Sequence, residues 1–284
     1  MPTFCDRQGK LEALKGRLRG LGSAAVAFSA GVDSSFLLDL AAEVLGARVL
    51  AVTARSRVFP RQEQEEAEAF CRARGIRQAF VEVEELSIPG FADNPPDRCD
   101  LCKRELFGQI REKAASEGLA AVLEGSNLDD DGDYRPGRRA LRELGVLSPL
   151  REAGLTKDEI RALSRERGLP TWQKPSLACL ASRFPYGQRL TAEALARVER
   201  AERWLAARVD GLGQLRVRCH GDLARIEVAP DRFPSLVAGA REIVAAFRSM
   251  GFAYVSLDLQ GYRTGSLNET LGRARGALQR AAEI

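Results

Sequence analysis

Residues 29 to 35 read Ser29-Ala30-Gly31-Val32-Asp33-Ser34-Ser35, a short loop with hydroxyls, one glycine and one carboxylate. Hydroxyls joined to the unpaired N–H groups and positive dipole end of a helix start make an anion site suited to phosphates. Asp33 is a carboxylate placed to hold Mg²⁺ against such phosphates. The loop lacks the Gly-Lys-Ser/Thr ending of a Walker A loop and the spacing of GxGxxG. The plain alternative is an ordinary Ser/Asp helix cap. A second group is Cys99-Asp-Leu-Cys102, whose thiols share one face if the segment is helical. The other cysteines, at 5, 71, 179 and 219, read by default as isolated or small core residues. There is one histidine, His220, so no site needing two His ligands exists and a Ser-His-Asp triad is disfavoured. His220 itself reads as a turn residue rather than a catalyst.

The elements that must position these groups alternate. AAVAF (24–28) reads as a buried strand, and FLLDLAAEVLG as a helix ending at Gly46. RVLAVT (48–53) is a second strand, Pro60 opens the next helix, and 76–83 is a third strand. Residues 95–118 read as a long helix carrying the Cys pair, followed by a fourth strand at 120–124 and a loop at 125–139. This order predicts an α/β fold with a doubly wound parallel sheet, whose ligands bind beyond the carboxyl ends of its strands. Both special loops, 29–35 and 125–139, fall at such ends. Thr156-Lys-Asp-Glu159 is a capping box opening a helix that stops at Gly168. A structured loop rich in Pro, Ser and aromatics and a helix over 191–208 follow. A hairpin around His220-Gly221-Asp222, a helix over about 231–249 and a strand over about 252–259 complete a smaller C-terminal α+β domain. The expected division is 1–175 and 176–284.

Composition bounds the function. The 284 residues suggest about two domains. Hydrophobic residues at 45% and charged residues at 29% exclude a disordered or fibrous chain. A net charge of +4, from 43 basic and 39 acidic residues, gives no case for a nucleic-acid binder. Arginine supplies 37 of those 43 bases, which reads either as genomic base composition or as many anion-gripping forks. No apolar run reaches the ~20 residues a bilayer needs, and MPTFCDRQGK lacks the apolar core of a signal peptide. The expected compartment is the cytoplasm, where six cysteines are not a disulfide framework.

The 29–35 loop resembles the S-G-G-x-D-S pattern of PP-loop ATP pyrophosphatases, with Ala30 where that pattern usually has Gly. If the position needs positive φ, Ala30 is strained. Further segments resemble the LarE family of PP-loop sulfur transferases. They are Asn94-Pro-Pro-Asp-Arg-Cys99-x-x-Cys102-Lys103, Gly125-Ser-Asn127-x-Asp129-Asp130 and Gly132-Asp-Tyr-Arg135-Pro-Gly. Ser148-Pro-Leu, Lys174-Pro-Ser-x-Ala-Cys179-Leu-x-Ser182-Arg183, Pro185-Tyr-Gly, His220-Gly-Asp-Leu-Ala-Arg and Asp258-Leu-Gln-Gly-Tyr-Arg263 extend the likeness over nearly the whole chain.

The resemblance implies an enzyme that adenylates a carboxylate of pyridinium-3,5-biscarboxylic acid mononucleotide with ATP, releasing pyrophosphate. Sulfur then replaces AMP to give a thiocarboxylate, and a second round yields the ligand of the nickel-pincer cofactor of lactate racemase and related enzymes. ATP is needed because an acyl-adenylate has a good leaving group and a carboxylate has none. The implied ATP-binding residues are Ser29, Gly31, Asp33, Ser34, Ser35, Thr53, Gly125, Asn127 and Asp129, with Mg²⁺ as partner ion and Asp130 adjacent. Lys103 and Arg135 read either as triphosphate countercharges or as surface charge. Ser182, Arg183, Arg216 and Arg218 are the candidates for the substrate phosphate, since Arg offers bidentate forks. An exposed strand face is the plain alternative for Arg216 and Arg218. Glu202 reads as a metal ligand or base, with a helix-surface Glu as the default.

Members of the family split over the sulfur source. In one type a single Cys, matching Cys179, gives up its sulfur and becomes dehydroalanine. In the other, three Cys bind a [4Fe–4S] cluster, and Cys99, Cys102 and Cys179 match that type. Three protein ligands leave one iron open to bind and deliver sulfide. Zinc wants four ligands, and no fourth Cys or His is obvious. A redox dithiol, buried structural Cys and a sacrificial Cys179 stay open. So do three other functions: a PP-loop tRNA thiolase, an ammonia-using enzyme like NAD synthetase, and a nucleotide-binding module without turnover. The implied partners are the mononucleotide, a sulfide donor and further copies of the chain in a homo-oligomer, a hexamer among the possible forms, with no membrane.

Overall fold

The structure, a computed structural model, describes residues 4–132, 137–175, 178–209, 211–266 and 269. The chain divides into two compact units, Met1–Phe91 with Pro96–Leu177, and Ala92–Pro95 with Ala178–Ile284.

In the first unit the elements are α1 (Phe4–Leu21), β1 (Ala24–Ala27), α2 (Val32–Leu45), β2 (Val49–Ser56), α3 (Arg61–Ala73) and β3 (Gln78–Val83). Then come α4 (Arg98–Ser116), β4 (Ala121–Leu123), α5 (Arg138–Glu143), α6 (Pro149–Glu152) and α7 (Lys157–Glu166). The four strands pair in parallel in the order β3-β2-β1-β4. Side chains alternate across the sheet. Ala24, Val26, Val49, Ala51 and Leu123 enter a core with Leu14 and Leu18 of α1, Phe36 and Leu40 of α2, Phe70 of α3 and Ile160 of α7. Ala25, Leu50, Val52 and Val122 enter another with Phe107 and Ile110 of α4 and Leu141 of α5. The sheet is therefore wound on both faces, and the strand order reverses between β1 and β4.

The second unit holds α8 (Ala192–Arg208), β5 (Arg216–His220), β6 (Leu223–Glu227), α9 (Phe233–Ala238), α10 (Ala240–Ser249) and β7 (Tyr254–Leu257). β5 and β6 form the expected hairpin across Gly221-Asp222, and β7 joins β6 in parallel. Leu195, Val198, Ala201 and Leu205 of α8 and Ile243 and Phe247 of α10 are buried, as are Val217, Ala224 and Ile226 of the strands.

Three local expectations change. α4 begins at Arg98 rather than at Pro95, because proline lacks an N–H and restricts the residue before it. The helix expected over 231–249 is two helices broken at Gly239, the N-cap of α10. α1 has no counterpart among the expected elements. Its Leu11, Leu14 and Leu18 form a buried stripe at helical spacing, interrupted in sequence by Gly16 and flanked by Gly9 and Gly20.

Candidate active site

The loop after β1 and the loop after β4 both leave the carboxyl edge of the sheet at its switch point. Gly31 is the N-cap of α2 and no side chain caps that helix start, so the first-turn N–H groups stay available to an anion. Ser29 Oγ and Ser34 Oγ lie 3.2 Å apart, and Ser34 Oγ also donates to the Gly31 carbonyl at 3.4 Å. Ser35 is fully buried, and its Oγ has no hydrogen-bond partner among the described residues. Ala30 has φ 52°. The left-handed region costs an L-residue roughly 1–2 kcal/mol, so the departure from glycine noted in the sequence carries real strain. Gly125, just beyond β4, fits because an added Cβ would stand 3.1 Å from the Ser34 nitrogen and 3.3 Å from Asp33 Cβ. Thr53 lies one residue past the Ala27–Val52 pairing, and its hydroxyl accepts from Gln78 Nε2 at 2.9 Å.

Asp33 is bonded from two sides. Asn127 Nδ2 donates to Oδ1 at 3.3 Å, and Lys157 Nζ, at the start of α7, donates to Oδ2. The Lys157 backbone N–H donates to Asp129 Oδ2 at 2.8 Å, while the Asp129 and Asn127 N–H groups are fixed by Asn127 Oδ1 and Asp130 Oδ2. Thus Asp33, Asn127, Asp129 and Asp130 form one connected group with Lys157. Buried Glu124 accepts from Ser126 Oγ at 2.8 Å and from Ser148 Oγ, closing the base of the loop after β4. Reasoning from sequence missed the parts played by Lys157, Lys174 and Glu124. The capping box marked the position of Lys157 but not where its side chain goes.

On α4, Cys99 is exposed and Cys102 half-buried. Asp100, between them, points inward, accepting from Ala140 N at 3.2 Å and Arg139 Nη2 at 2.7 Å. Burial pushes the Asp100 carboxyl up, but Arg139 and Arg104 more than reverse this and hold it below the usual range. α5 is thereby pinned to the Cys helix. Gly137 sits so close that an added Cβ would stand 2.9 Å from the Cys99 carbonyl and 2.5 Å from Lys103 Cδ. Arg135 lies outside the described residues. Cys71 is buried, which pushes its thiol up to about 12. Cys219 is buried and donates to the Gly221 carbonyl. Both are structural.

Cys179 belongs to the second unit, where it is half-buried and precedes a short 3-10 turn, Leu180–Arg183. Fully buried Arg183 forks onto Glu202 at 2.9 and 2.8 Å. Its Nη1 also donates to the carbonyls of Ala178 and Cys179 and to Ser182 Oγ. Glu202 also accepts the Val217 N–H at 2.9 Å, so it is an anchor inside the unit, not the helix-surface residue expected. Arg218 Nη1 donates to the Ser182 carbonyl at 2.8 Å and Nη2 to Glu227 at 2.7 Å, and Glu227 also pairs with Arg225. Arg216 lies over the Tyr262 ring at 5.2 Å and donates to the Leu215 carbonyl. Arg216 and Arg218 are buried, not an exposed strand face. Burial, then the charge of Arg183, pulls Arg216 below the usual arginine range, and an anion placed there would relieve it. His220 ends β5, and burial, with Arg225 and Arg218, pushes its pKa down, so it is neutral near pH 7. Among the described residues, neither unit gathers three His, Cys, Asp or Glu side chains as a metal-binding group.

A parallel sheet of this order, with a Ser-Gly-Asp-Ser loop and an open helix start at its switch point, defines the PP-loop ATP-binding class. Comparison agrees: the chain is 28% identical over 170 residues to a component of the glutamine-hydrolyzing GMP synthase of Thermoplasma volcanium, covering 54% of each chain. It is 38% identical over 276 residues to the pyridinium-3,5-bisthiocarboxylic acid mononucleotide synthase of Lactiplantibacillus plantarum, covering 97% of this chain and 98% of that one. An uncharacterized protein of Synechocystis is 42% identical over 266 residues, covering 93% and 98%. The chain belongs to the LarE family of PP-loop sulfur transferases. No family model matches it.

Proposed function

We propose that the chain adenylates the carboxylates of pyridinium-3,5-biscarboxylic acid mononucleotide and converts them to thiocarboxylates. The observation that carries this reading is the near end-to-end likeness to the synthase of that product, together with the open helix start beside Asp33. In the first step a carboxylate oxygen attacks the α-phosphorus of ATP, the Pα–O–Pβ bond breaks, and pyrophosphate leaves. In the second a sulfide attacks the acyl carbon and AMP leaves. The first unit binds ATP through Ser29, Gly31, Ser34, Ser35, Thr53, Gly125 and Asn127, and the orphaned Ser35 hydroxyl fits a missing phosphate partner. The carboxylates Asp33 and Asp129 offer the oxygen ligands Mg²⁺ takes. In the second unit Arg216 and Arg218, with Ser182, hold the substrate phosphate, and Arg183 sets the Cys179 loop.

Cys99, Cys102 and Cys179 carry the thiolate chemistry of a [4Fe–4S] site, and the first two share one face of α4. When bound, such a cluster supplies an open iron for sulfide. We also read the protein as cytoplasmic and homo-oligomeric, receiving sulfide from a separate donor and serving lactate racemase or a related enzyme. No described helix is long and apolar enough to cross a membrane.

The test is an anaerobic assay with the biscarboxylic mononucleotide, ATP and sulfide, following pyrophosphate and thiolated product. Asp33→Asn is expected to abolish pyrophosphate release, and unchanged release removes Asp33 from the reaction. Cys99→Ala is expected to stop sulfur transfer and leave adenylation. Transfer that survives in that variant, with a protein mass lower by one sulfur and two hydrogens, assigns the sulfur to Cys179 itself.

A further inference from the structure

Ala30 is fully buried and stands at φ 52°, where L-residues rarely rest. Its carbonyl accepts a bond from Lys174 Nζ at 2.9 Å. That ammonium is held in place. Its side chain is 12% exposed, with Glu66 of α3 at 2.5 Å and Glu63 at 3.9 Å. The Lys174 backbone is fixed as well. Its N–H donates to the Thr171 carbonyl at 2.9 Å, and its carbonyl accepts Arg161 Nη2 at 3.0 Å. Arg161 Nη1 holds the Trp172 carbonyl at 2.6 Å, so α7 braces the whole turn.

We propose that Lys174 is a positioning residue that clamps Ala30 in the left-handed conformation and so keeps the 29–35 loop in its nucleotide-binding form. This rests on the reading of that loop as the ATP site. Relaxing Ala30 to negative φ rotates the adjoining peptides and turns the carbonyl away from Nζ. An ammonium tied to Glu66 is held back from following it, and a half-buried donor would lose one of its acceptors. The lysine thereby supplies the conformation that a glycine would adopt without strain. Lys174 acts through Ala30 and needs no contact with the nucleotide.

The test is a double-mutant cycle with Lys174→Met and Ala30→Gly, read as affinity for a non-hydrolysable ATP analogue with Mg²⁺ by calorimetry. Lys174→Met is expected to weaken binding about tenfold by depopulating the competent loop. Against Ala30→Gly the same change is expected to cost no more than about twofold. An unchanged affinity in Lys174→Met overturns the proposal. An equal loss in both backgrounds also overturns it, because Lys174 then acts on the nucleotide directly. Denaturant unfolding of the ligand-free variants gives a second reading: the two changes are expected to couple in stability, and strict additivity counts against the clamp. A wild-type chain that binds no analogue removes the ATP reading, and coupling in unfolding would still support the clamp.

Discussion

Asp33 is met at once by the Lys157 ammonium and the Asn127 amide, and it is less exposed than a surface carboxylate needs to be. Carboxylate and ammonium neutralise each other until a ligand arrives. On the proposed function, in which Mg²⁺ and triphosphate engage Asp33, the Lys157 ammonium is left facing anionic oxygens, where a charged hydrogen bond is worth about 1.5–3 kcal/mol. Lys157→Met is therefore expected to slow adenylation by roughly 10- to 100-fold, with Lys157→Arg retaining part of the rate. Pyrophosphate–ATP exchange measures this, and an unchanged rate in Lys157→Met assigns the pair to stability alone. The loop residues were legible in the sequence because they lie within seven positions of one another. The contacts of Lys157 and Lys174 were not, because they reach Asp33 and Ala30 across 124 and 144 residues. No local pattern encodes that proximity; the sheet order creates it.

At the scale of elements, the sequence carried the strand–loop–helix of β1 and α2, the hairpin of β5 and β6, and the cap of α7, since each rests on short-range rules. It did not carry α1, where three glycines obscure the Leu11-Leu14-Leu18 stripe, or the break at Gly239. The α7 cap permits a quantitative expectation. Thr156 accepts the Glu159 N–H, and the Glu159 carboxylate accepts the Thr156 N–H and the Lys10 ammonium. Burial pushes the Glu159 carboxyl up, yet these bonds more than reverse it and hold it below the usual carboxylate range. A depressed carboxyl stabilises the fold above its unfolded pKa of about 4.3, and that contribution fades as pH falls through the lower folded value. Thr156→Ala is expected to cost about 1 kcal/mol at pH 7. It also removes the bond that Thr156 Oγ1 donates to the Glu159 carboxylate at 3.1 Å, and with it part of the acid-side loss, so denaturant unfolding at pH 7 and pH 3 should give a smaller difference for the variant. An equal difference would show that the Thr156 backbone N–H and Lys10, both kept in the variant, set the Glu159 carboxyl.

Across the whole molecule, the excess of arginine over lysine acquires a physical role. Arg183, Arg216, Arg218 and Glu227 are all buried in the second unit, and each arginine has a defined partner there. Composition alone left open whether these forks served genome or chemistry. Their burial gives these residues a structural place, because a guanidinium is carried inside only where carboxylates and carbonyls meet its fork. Such a network separates stability from function. Glu202→Ala strands Arg183 with an uncompensated buried charge and is expected to lower stability by about 3–5 kcal/mol. Replacing both partners, Arg183→Met with Glu202→Leu, removes the uncompensated charge and is expected to recover part of that loss, the rest staying with the Val217 N–H and the Ala178 and Cys179 carbonyls that lose a partner. The recovered protein should still fail in sulfur transfer, because Arg183 also holds the carbonyls of Ala178 and Cys179. Chemical denaturation and a single-turnover transfer assay on the same preparation read the two quantities independently. A stable double variant that transfers sulfur at the wild-type rate would show that Arg183 only fills space, and that the Cys179 loop keeps its form by other means.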